Sequence, residues 1–501
     1  MAAIVLLFAG SVDIYFTTDI YAIIPSEWIP ERKILLFIYQ KLFYYFGMDP
    51  VPYHIFTLFL HTCNSIFVYY IVRSLTRDNI KAWIGGLLFA TFYAASEPVL
   101  CITYMYEIFW VFFSFSAIAA FLCYRQTGRK IFLVASLVAI YLALRSKENT
   151  LILPLLIALV DYFYLNGRFQ IEDVKKYIRT NTIELSLLLI LFGLQCFLLK
   201  STGAINSEEL GSFSHKLNKA VNLTFVNFAP FPGETRIYTR IYGAFILTLC
   251  VLYAYLSKER RPLLFLLLTC EFIALLPYFY NATKAMRYIY FPSLFTMPIF
   301  ALIICSCGEV LEGLILHSRF SKTSNYGKQL VICSLTGIIL LKSFQFTHQD
   351  EPIYRVAGGL CKTNLEDFRK LFPNGKSETV INLINLPGCL NGVSNHTIEV
   401  WGGSGPRNFP SAVKLTYKTL GIEADFKIDR FSLLELPCYH GPFERYIPTI
   451  RPKEFDSLGG RVIVFNPIDS RLIDVSGWGF ERLDNFFKNQ LEKRLAPAGG
   501  Q

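Results

Sequence analysis

The chain has 501 residues, of which 53% are hydrophobic and 17% are charged, and its mean hydropathy is +0.40. A soluble globular protein carries less apolar and more charged sequence, so this composition is typical of a polytopic membrane protein. The net charge of +10 agrees with basic loops on one side of a membrane, and no nucleic-acid partner is needed to explain it.

Apolar runs fill the chain to about residue 344, and a polar region with turn-forming residues follows. Because a spanning helix needs about 20 mostly apolar residues, we predict about eleven spans. The fold class is therefore a polytopic α-helical membrane domain at 1–345 followed by a soluble domain at 346–501. The predicted spans are 1–16, 53–73, 80–97, 100–124, 130–145, 149–165, 183–200, 238–256, 262–280, 288–306 and 329–345.

The orientation of these spans follows from the basic residues in the loops, which accumulate on the cytoplasmic side. With a cytoplasmic N-terminus, every inner loop is basic, as in 73–81, 125–130 and 258–261. An odd number of spans then places the C-terminal domain on the extracytoplasmic side. We expect a multi-pass protein of the bacterial inner membrane or the endoplasmic reticulum.

Two basic clusters on the predicted outer side depart from this pattern. They are "RSKEN" at 145–149 and "NATKAMRYIY" at 281–290. Arg offers bidentate contacts, Lys a point charge and Tyr a hydroxyl, so the clusters favour a site for a lipid-linked phosphate. The alternative for each residue is snorkelling to the headgroups. The candidate phosphate-binding residues are Arg145, Lys147, Glu148, Lys284, Arg287, Tyr288 and Tyr290.

Carboxylates occur in the first two predicted outer loops. Asp13 and Asp19 follow the first span in "SVDIYFTTDIYAII", where either could act as general base toward an acceptor hydroxyl. Glu97 lies in the next outer turn, in "YAASEPV". An ordinary loop position is the alternative for the aspartates.

Several other polar residues lie near the same side. An acid within a membrane domain is costly and often functional, although a paired structural role is equally plausible for Glu107. Helix packing is the favoured role for the two histidines of 53–73. The loop 201–237 is rich in Gly and Pro and is interpreted as a cover over the site, and 33–46 as an amphipathic segment on the outer membrane surface. The further candidate contacts with substrate are His54, His61, Glu107, Arg236 and Arg240.

Four stretches of the membrane domain resemble the GT-C glycosyltransferases, especially the polyprenyl-phosphate-sugar-dependent protein mannosyltransferases and their relatives that carry TPR repeats. In chain order they are "FGMDPVPYHIFTLFLHTCNSIFVYYIV", "GGLLFATFYAASEPVLCITYMYEIFWVFFSFSAIAAFLCYR", "LRSKENTLILPLL" and "AMRYIYFPSLF". The resemblance covers about residues 1 to 345, and no TPR repeats follow. It implies transfer of a sugar from a polyprenyl phosphate to a protein or glycan acceptor, by inverting displacement at the lipid bilayer.

The resemblance also implies roles for individual residues. Asp19 would be the catalytic base, with Asp13 as the substitute, and Glu97 would support the acceptor or the base. Lys147 and Arg287, with their neighbours, would hold the carrier phosphate. Thr18 stands where the family has the first of two acids, which leaves a divalent metal cofactor open.

The C-terminal region alternates β-type runs with Gly/Pro turns, which predicts an α/β fold. The predicted strands are 379–385, 411–417, 431–436 and 461–467, and the predicted helices are 364–372 and 481–495.

Two other functions remain open from the sequence. A transporter or lipid flippase would be expected to have internal repeats with matching broken helices, and the sequence contains neither pattern. A GT-C-like protein without catalysis is the other alternative, because of Thr18.

Overall fold

A computed structural model gives the fold of the chain as α-helices followed by a small mixed sheet. The described residues are 2–17, 20, 33–167, 170–201, 213–230, 236–280, 285–316, 324–384, 386, 389–391, 397–401, 409–426, 428–430, 455–456, 458, 460–466 and 469–495. The helices are α1 Ala2–Phe8, α2 Lys33–Phe46, α3 Pro50–Thr76, α4 Asn79–Thr91, α5 Ser96–Leu100, α6 Met105–Thr127, α7 Lys130–Leu144, α8 Leu153–Asn166, α9 Ile171–Thr180, α10 Thr182–Ser201, α11 Phe213–Phe228, α12 Arg236–Leu256, α13 Arg261–Leu275, α14 Ser293–Leu316, α15 Ser324–Leu371, α16 Phe409–Thr419 and α17 Phe480–Leu495. The strands are β1 Ile381–Ile384, β2 Cys389–Asn391, β3 Thr397–Glu399, β4 Ile428–Arg430, β5 Arg461–Asn466 and β6 Arg471–Asp474.

The predicted class, a multi-pass helical membrane protein with an α/β region after it, is confirmed. Seven helices in the described ranges are long and apolar enough to cross a membrane, and an eighth span results if α9 and α10, which meet at 85°, are taken together. The predicted number of eleven is not confirmed. Two shorter apolar helices, Ala2–Ser11 and Lys130–Leu144, account for part of the difference.

Three predicted spans have wrong bounds because the helices break. The span at 80–97 ends at Thr91, where Phe92 takes an extended conformation (φ −59°, ψ 129°). The first span is reduced to α1 and a single 3₁₀ turn, Ala9–Ser11. The span at 288–306 begins as a 3₁₀ turn, Met286–Ile289, and becomes α14 only at Ser293. Apolar composition alone does not reveal such breaks.

The predicted cover at 201–237 is partly helical, since it contains α11. Two contacts hold this helix on the bundle. The Tyr93 hydroxyl donates to the Val226 carbonyl over 2.7 Å. Asn227 Nδ2 donates over 3.0 Å to Glu271 on α13 and over 2.7 Å to Thr296 on α14. The end of α11 is therefore part of the helix packing.

The loops predicted to be cytoplasmic come together at one end of the bundle. Arg260 at the start of α13 donates to Glu309 near the end of α14 over 2.6 Å. Lys81 at the start of α4 lies 4.0 Å from the same carboxylate. Arg125 at the end of α6 contacts Asp161 on α8 through two 2.7 Å hydrogen bonds. Basic loops thus share one end of the bundle, and which side of the membrane this end faces stays a prediction.

Helix α15 connects the bundle to the sheet. It has 48 residues and runs through position 345, so the predicted division of the chain falls inside it and remains a prediction. Asp367 near its end accepts a 3.2 Å hydrogen bond from the Leu472 backbone N–H. It also forms an ion pair with Arg471, with 3.0 Å between the charged atoms. The sheet order is β4-β1-β5-β6, with β1 parallel to β4 and β5, and β6 antiparallel to β5.

The C-terminal predictions agree in part. Strands β1 and β5 and helix α17 lie where the sequence predicted them. The predicted strand at 411–417 is wrong, because it belongs to α16. Val413, Leu415 and Tyr417 alternate as in a strand, but Phe409, Ala412 and Val413 supply the helical spacing that packs against the core. The predicted strand at 431–436 lies outside the described residues.

Candidate functional site

Four predicted site residues are buried together where helices break. Glu97 and Glu107 are 1% exposed, Lys147 is 4% and Arg287 is 8%. Glu97 lies in the five-residue helix α5, and Glu107 in the first turn of α6. The backbone is extended at Lys147 (φ −160°, ψ 143°) and at Ala285, two residues before Arg287 (φ −110°, ψ 143°). Each basic side chain therefore projects from a break between helices.

Arg287 and Glu97 form one ion pair of the site. Arg287 Nη1 donates to Glu97 Oε1, and the Arg287 backbone N–H donates to Glu97 Oε2 over 2.8 Å. The guanidinium carbon lies 3.9 Å from the ring centre of Tyr104 and 5.1 Å from that of Tyr288. Both carboxylate oxygens and the faces of two rings stabilise this buried cation.

Lys147 and Glu107 form the second ion pair. Lys147 Nζ donates to Glu107 Oε1, and the Trp110 indole N–H donates to Glu107 Oε2 over 2.7 Å. The ammonium lies 5.0 Å from the Tyr106 ring centre and 5.9 Å from that of Trp110. The carboxylate is thus held from one side by the ammonium and from the other by the indole.

An aromatic wall joins the two ion pairs. The Tyr278 ring centre lies 5.7 Å from Lys147 Nζ, and this ring stacks on Tyr288 with 4.9 Å between centroids and 27° between planes. Tyr288 in turn faces the Arg287 guanidinium. The two basic clusters of the sequence therefore meet in one site.

One hydrogen-bond donor of the site lacks an acceptor. Arg287 Nε is buried and makes no hydrogen bond within the part of the chain that the structure describes. A buried donor without a partner costs about 1–3 kcal/mol, and more on a charged group. An anionic oxygen of a bound ligand would remove this cost, so Arg287 is suited to bind an anion.

Tyr290 and His61 belong to a helix-packing network. His61 Nε2 lies 3.1 Å from the Ala90 carbonyl and must donate to it, so Nδ1 is left to accept from the Tyr290 hydroxyl at 2.7 Å. Asn64 Nδ2 donates to the same hydroxyl over 3.1 Å. These contacts occupy the polar groups that a substrate would use, which supports the packing alternative for His61.

Asp13 lies on the segment that leads to position 19, and His54 on α3 contacts this segment. Arg355 on α15 donates to Asp13 Oδ2 over 2.6 Å, and the Asp13 side chain is 61% exposed. The hydrogen bond from Arg355 lowers the pKa of Asp13 below its usual value. His54 Nε2 lies 3.0 Å from the Ile14 carbonyl. Asp13 thus has an ion-pair partner of its own, and His54 holds the backbone of this segment.

The same segment packs against the break that follows Glu97. The Thr103 hydroxyl donates to the Thr17 carbonyl over 2.6 Å, and Thr17 Oγ1 lies 3.3 Å from Cys101 Sγ. The described chain therefore passes beside the site two residues before position 19. Asp19 itself lies outside the described residues.

The remaining predicted residues have less definite positions. Arg145 and Glu148 are half-buried on either side of Lys147. Arg236 is the first residue of α12, and Arg240 is half-buried one turn later. Lys284 lies outside the described residues.

The sequence did not identify the aromatic part of the site. Tyr104, Tyr106 and Trp110 surround Glu107 in "TYMYEIFW", and this concentration of aromatic residues beside an acid was the available signal. Tyr278 had no such signal, because it comes to the site from the end of another apolar run. No group of three or more His, Cys, Asp or Glu residues suited to a metal occurs among the described residues, and Asp19 is not one of these.

Comparisons with known proteins give similarities of fold at low identity. No family model and no curated protein matches the sequence. The crystal structure of ArnT from Cupriavidus metallidurans bound to undecaprenyl phosphate is 12% identical, covers 85% of this chain and 88% of its own, and has a TM-score of 0.45. The archaeal oligosaccharyltransferase AglB from Archaeoglobus fulgidus, in complex with an inhibitory peptide and a dolichol-phosphate, is 12% identical with a TM-score of 0.41. Its apo form is 13% identical with a TM-score of 0.43, and each AglB match covers 76% of this chain and 62% of AglB. No residue role follows from similarity at this level.

Proposed function

We propose that the protein is an integral-membrane glycosyltransferase that moves a sugar from a polyprenyl-phosphate carrier to a protein or glycan acceptor. The observation that carries the proposal is the unpaired Nε of Arg287 in a buried site that also contains Lys147. A guanidinium and an ammonium bind phosphate oxygens in complementary ways, and the surrounding rings exclude water, which strengthens both contacts. The four sequence stretches that resemble the GT-C glycosyltransferases support the same function.

The charges of this site balance without a ligand. Arg287 is paired with Glu97 and Lys147 with Glu107. A phosphate that binds beside Arg287 Nε adds negative charge, so we expect it to compete with the two carboxylates for N–H donors. Glu97 and Glu107 would then keep both cations in position between turnovers, at a site where an unpaired charge would be costly.

The proposed reaction is a single inverting displacement. A carboxylate, Asp19 or else Asp13, takes the proton from the acceptor hydroxyl as its oxygen attacks the anomeric carbon. The bond from that carbon to the carrier phosphate oxygen breaks, and the electron pair leaves with the polyprenyl phosphate. Arg287 and Lys147 stabilise the charge that develops there.

We further propose that the site and residues 346–501 face the extracytoplasmic side. The gathering of basic loops at the opposite end of the bundle supports this orientation. A membrane-impermeant thiol reagent applied to sealed cells should label Lys418→Cys, which is exposed on α16, above the background of the native cysteines. Thr127→Cys, exposed at the end of α6, should be labelled only after lysis, and the reverse result would overturn the topology.

The reaction is tested by release of polyprenyl phosphate from a panel of lipid-linked sugars, with the purified full chain and candidate acceptors. We expect release by the wild type and almost none by Asp19→Asn. Lys342→Gln is the control, because this lysine on α15 is exposed and donates to Gln345 over 3.2 Å, and it should keep full activity.

The alternatives give different results in the same preparation. Movement of lipid-linked sugar across vesicles without release would indicate a flippase. Binding of the donor without release under all conditions would indicate a protein that has lost catalysis. Full activity of Asp19→Asn would exclude Asp19 as the base and make Asp13→Asn the next variant to measure.

A further inference from the structure

Helix α9 lies across the end of the bundle opposite the candidate site. It meets α10 at 85° after a single intervening residue, and α10 carries exposed apolar side chains along its length, such as Ile183, Leu189 and Ile190. Helix α10 has 20 residues, which is long enough to cross a membrane without α9, and a helix nearly perpendicular to such a span lies close to the membrane plane. Helix α9 therefore has the orientation of an interfacial helix.

Contacts with the bundle fix the rotation of α9 about its own axis. Tyr177 is buried, and its hydroxyl donates to Asp161 Oδ2 over 2.7 Å. The same carboxylate accepts two hydrogen bonds from Arg125, which also donates to Asn181 over 2.8 Å. With Tyr177 held inward by this network, the other faces of α9 have defined directions.

The outward side of α9 is an apolar stripe. Ile171 is 79% exposed, Val174 36% and Ile178 52%, and their spacing of three and four residues places them on one face. Three neighbouring apolar side chains do not remain in water on a short helix without a partner surface. The exposed apolar side of α10 begins directly after them, so the bilayer that surrounds α10 is the continuous partner.

Basic side chains border the stripe. Lys175 lies one turn after Ile171, and Arg179 lies one turn after Lys175. Both side chains are exposed and are next to the apolar face. Neither has an ion-pair partner among the residues that the structure describes. Apolar residues at the acyl boundary with Lys and Arg at headgroup level are the usual arrangement of helices that bind anionic membrane surfaces.

We propose that α9 is a binding surface for anionic phospholipid. Ile171, Val174 and Ile178 insert at the acyl boundary, and Lys175 and Arg179 bind headgroup phosphates of the leaflet at this end of the bundle. The site is separate from the proposed transferase site and does not depend on that function.

The test measures which lipid contacts α9 in the full chain. Ile178→Cys, in a Cys307→Ser/Cys333→Ser background, is labelled with bimane in phosphatidylcholine nanodiscs. Two preparations are compared, one with a small fraction of nitroxide-labelled phosphatidylglycerol and one with the same fraction of nitroxide-labelled phosphatidylcholine. We expect both lipids to quench the label, and the anionic lipid to quench it at least twofold more strongly.

Two controls make the result specific. Val138→Cys, exposed on the side of α7, should be quenched equally by the two lipids. Lys175→Glu/Arg179→Glu should bring the ratio at position 178 to one while both lipids still quench. Equal quenching in the unmodified helix would overturn the role of the basic residues. If only aqueous iodide quenches the label, α9 lies in water, and the whole proposal is overturned. The same holds if neither iodide nor either lipid quenches the label, because a second copy or another protein then covers α9.

Discussion

The ion pair between Arg287 and Glu97 can be tested with a double-mutant cycle that separates folding from function. The single variants Arg287→Gln and Glu97→Gln each leave one buried charge without its partner. The double variant replaces both charges by neutral amides, which can hydrogen-bond to each other. Stability and activity should then respond differently.

The burial of both groups sets the size of the effect on stability. Glu97 is 1% exposed and Arg287 8%, so water cannot replace the missing partner. Removing one member of a buried ion pair costs about 3–5 kcal/mol. The loss in the double variant should be smaller than the sum of the two single losses by about 1–3 kcal/mol, since groups in direct contact are coupled by that amount.

Thermal unfolding in nanodiscs and release of polyprenyl phosphate are measured on all four proteins. We expect both single variants to unfold well below the wild type. The double variant should lose less stability than the sum of the two single losses and should keep less than a tenth of the activity. A double variant with wild-type activity would show that Arg287 is only structural. Single variants as stable as the wild type would show that the pair is not buried as described.

Two further predictions concern packing and pH. Gly358→Ala should lower the melting temperature and the activity, because its new Cβ would lie 2.7 Å from the Tyr15 carbonyl oxygen on the segment leading to the site. In the matched variant Gly359→Ala the new Cβ meets nothing within 4 Å, so this change should stabilise α15 by about 1 kcal/mol. Equal melting temperatures of the two variants would contradict this packing. Burial raises the pKa of Asp474, but hydrogen bonds from Arg461 and Ser476 lower it more, so the net pKa is below its usual value. A depressed carboxyl pKa stabilises the fold above the unfolded-state value of about 3.9 and ceases to do so as the pH falls through the folded-state value. Asp474→Asn should therefore unfold more easily than the wild type at pH 7, and the difference should shrink as the pH falls below about 3.9 in denaturant titrations. A difference that grows toward low pH would be the contrary result.

The membrane character and most of the long helices could be predicted from apolar periodicity alone. Helix α12 begins at Arg236 and ends at Leu256, against a prediction of 238–256. The breaks were not predictable in the same way. Helix α4 ends at Thr91, and neither Gly nor Pro occurs from there to residue 97 to signal the end. Its end is decided by tertiary contacts, among them the hydrogen bond from Tyr93 to Val226 on α11.

For the candidate site, the useful signal in the sequence was basic residues on the predicted outer side of the membrane. Lys147 and Arg287 could be selected because they belong to the two basic clusters that depart from the predicted orientation. Their carboxylate partners could not be assigned, since nothing in the sequence relates Glu107 to Lys147 rather than to Arg287. Pairing is decided by which helix ends meet, and that is a property of the packed bundle.

The breaks that shortened the predicted spans also explain how the site is built. Within a membrane protein, non-helical backbone is tolerated only where it is buried in protein or lines a cavity, because lipid offers no hydrogen bonds. The breaks near Phe92, Lys147 and Arg287 meet at one end of the bundle, and each frees polar groups that a continuous helix would use internally. At Arg287 the freed backbone N–H and Nη1 bind the two oxygens of Glu97. Among the described residues, Nε is then left without an acceptor. The same irregularity that defeats prediction from apolar runs therefore supplies the donors with which this membrane domain could bind a phosphate.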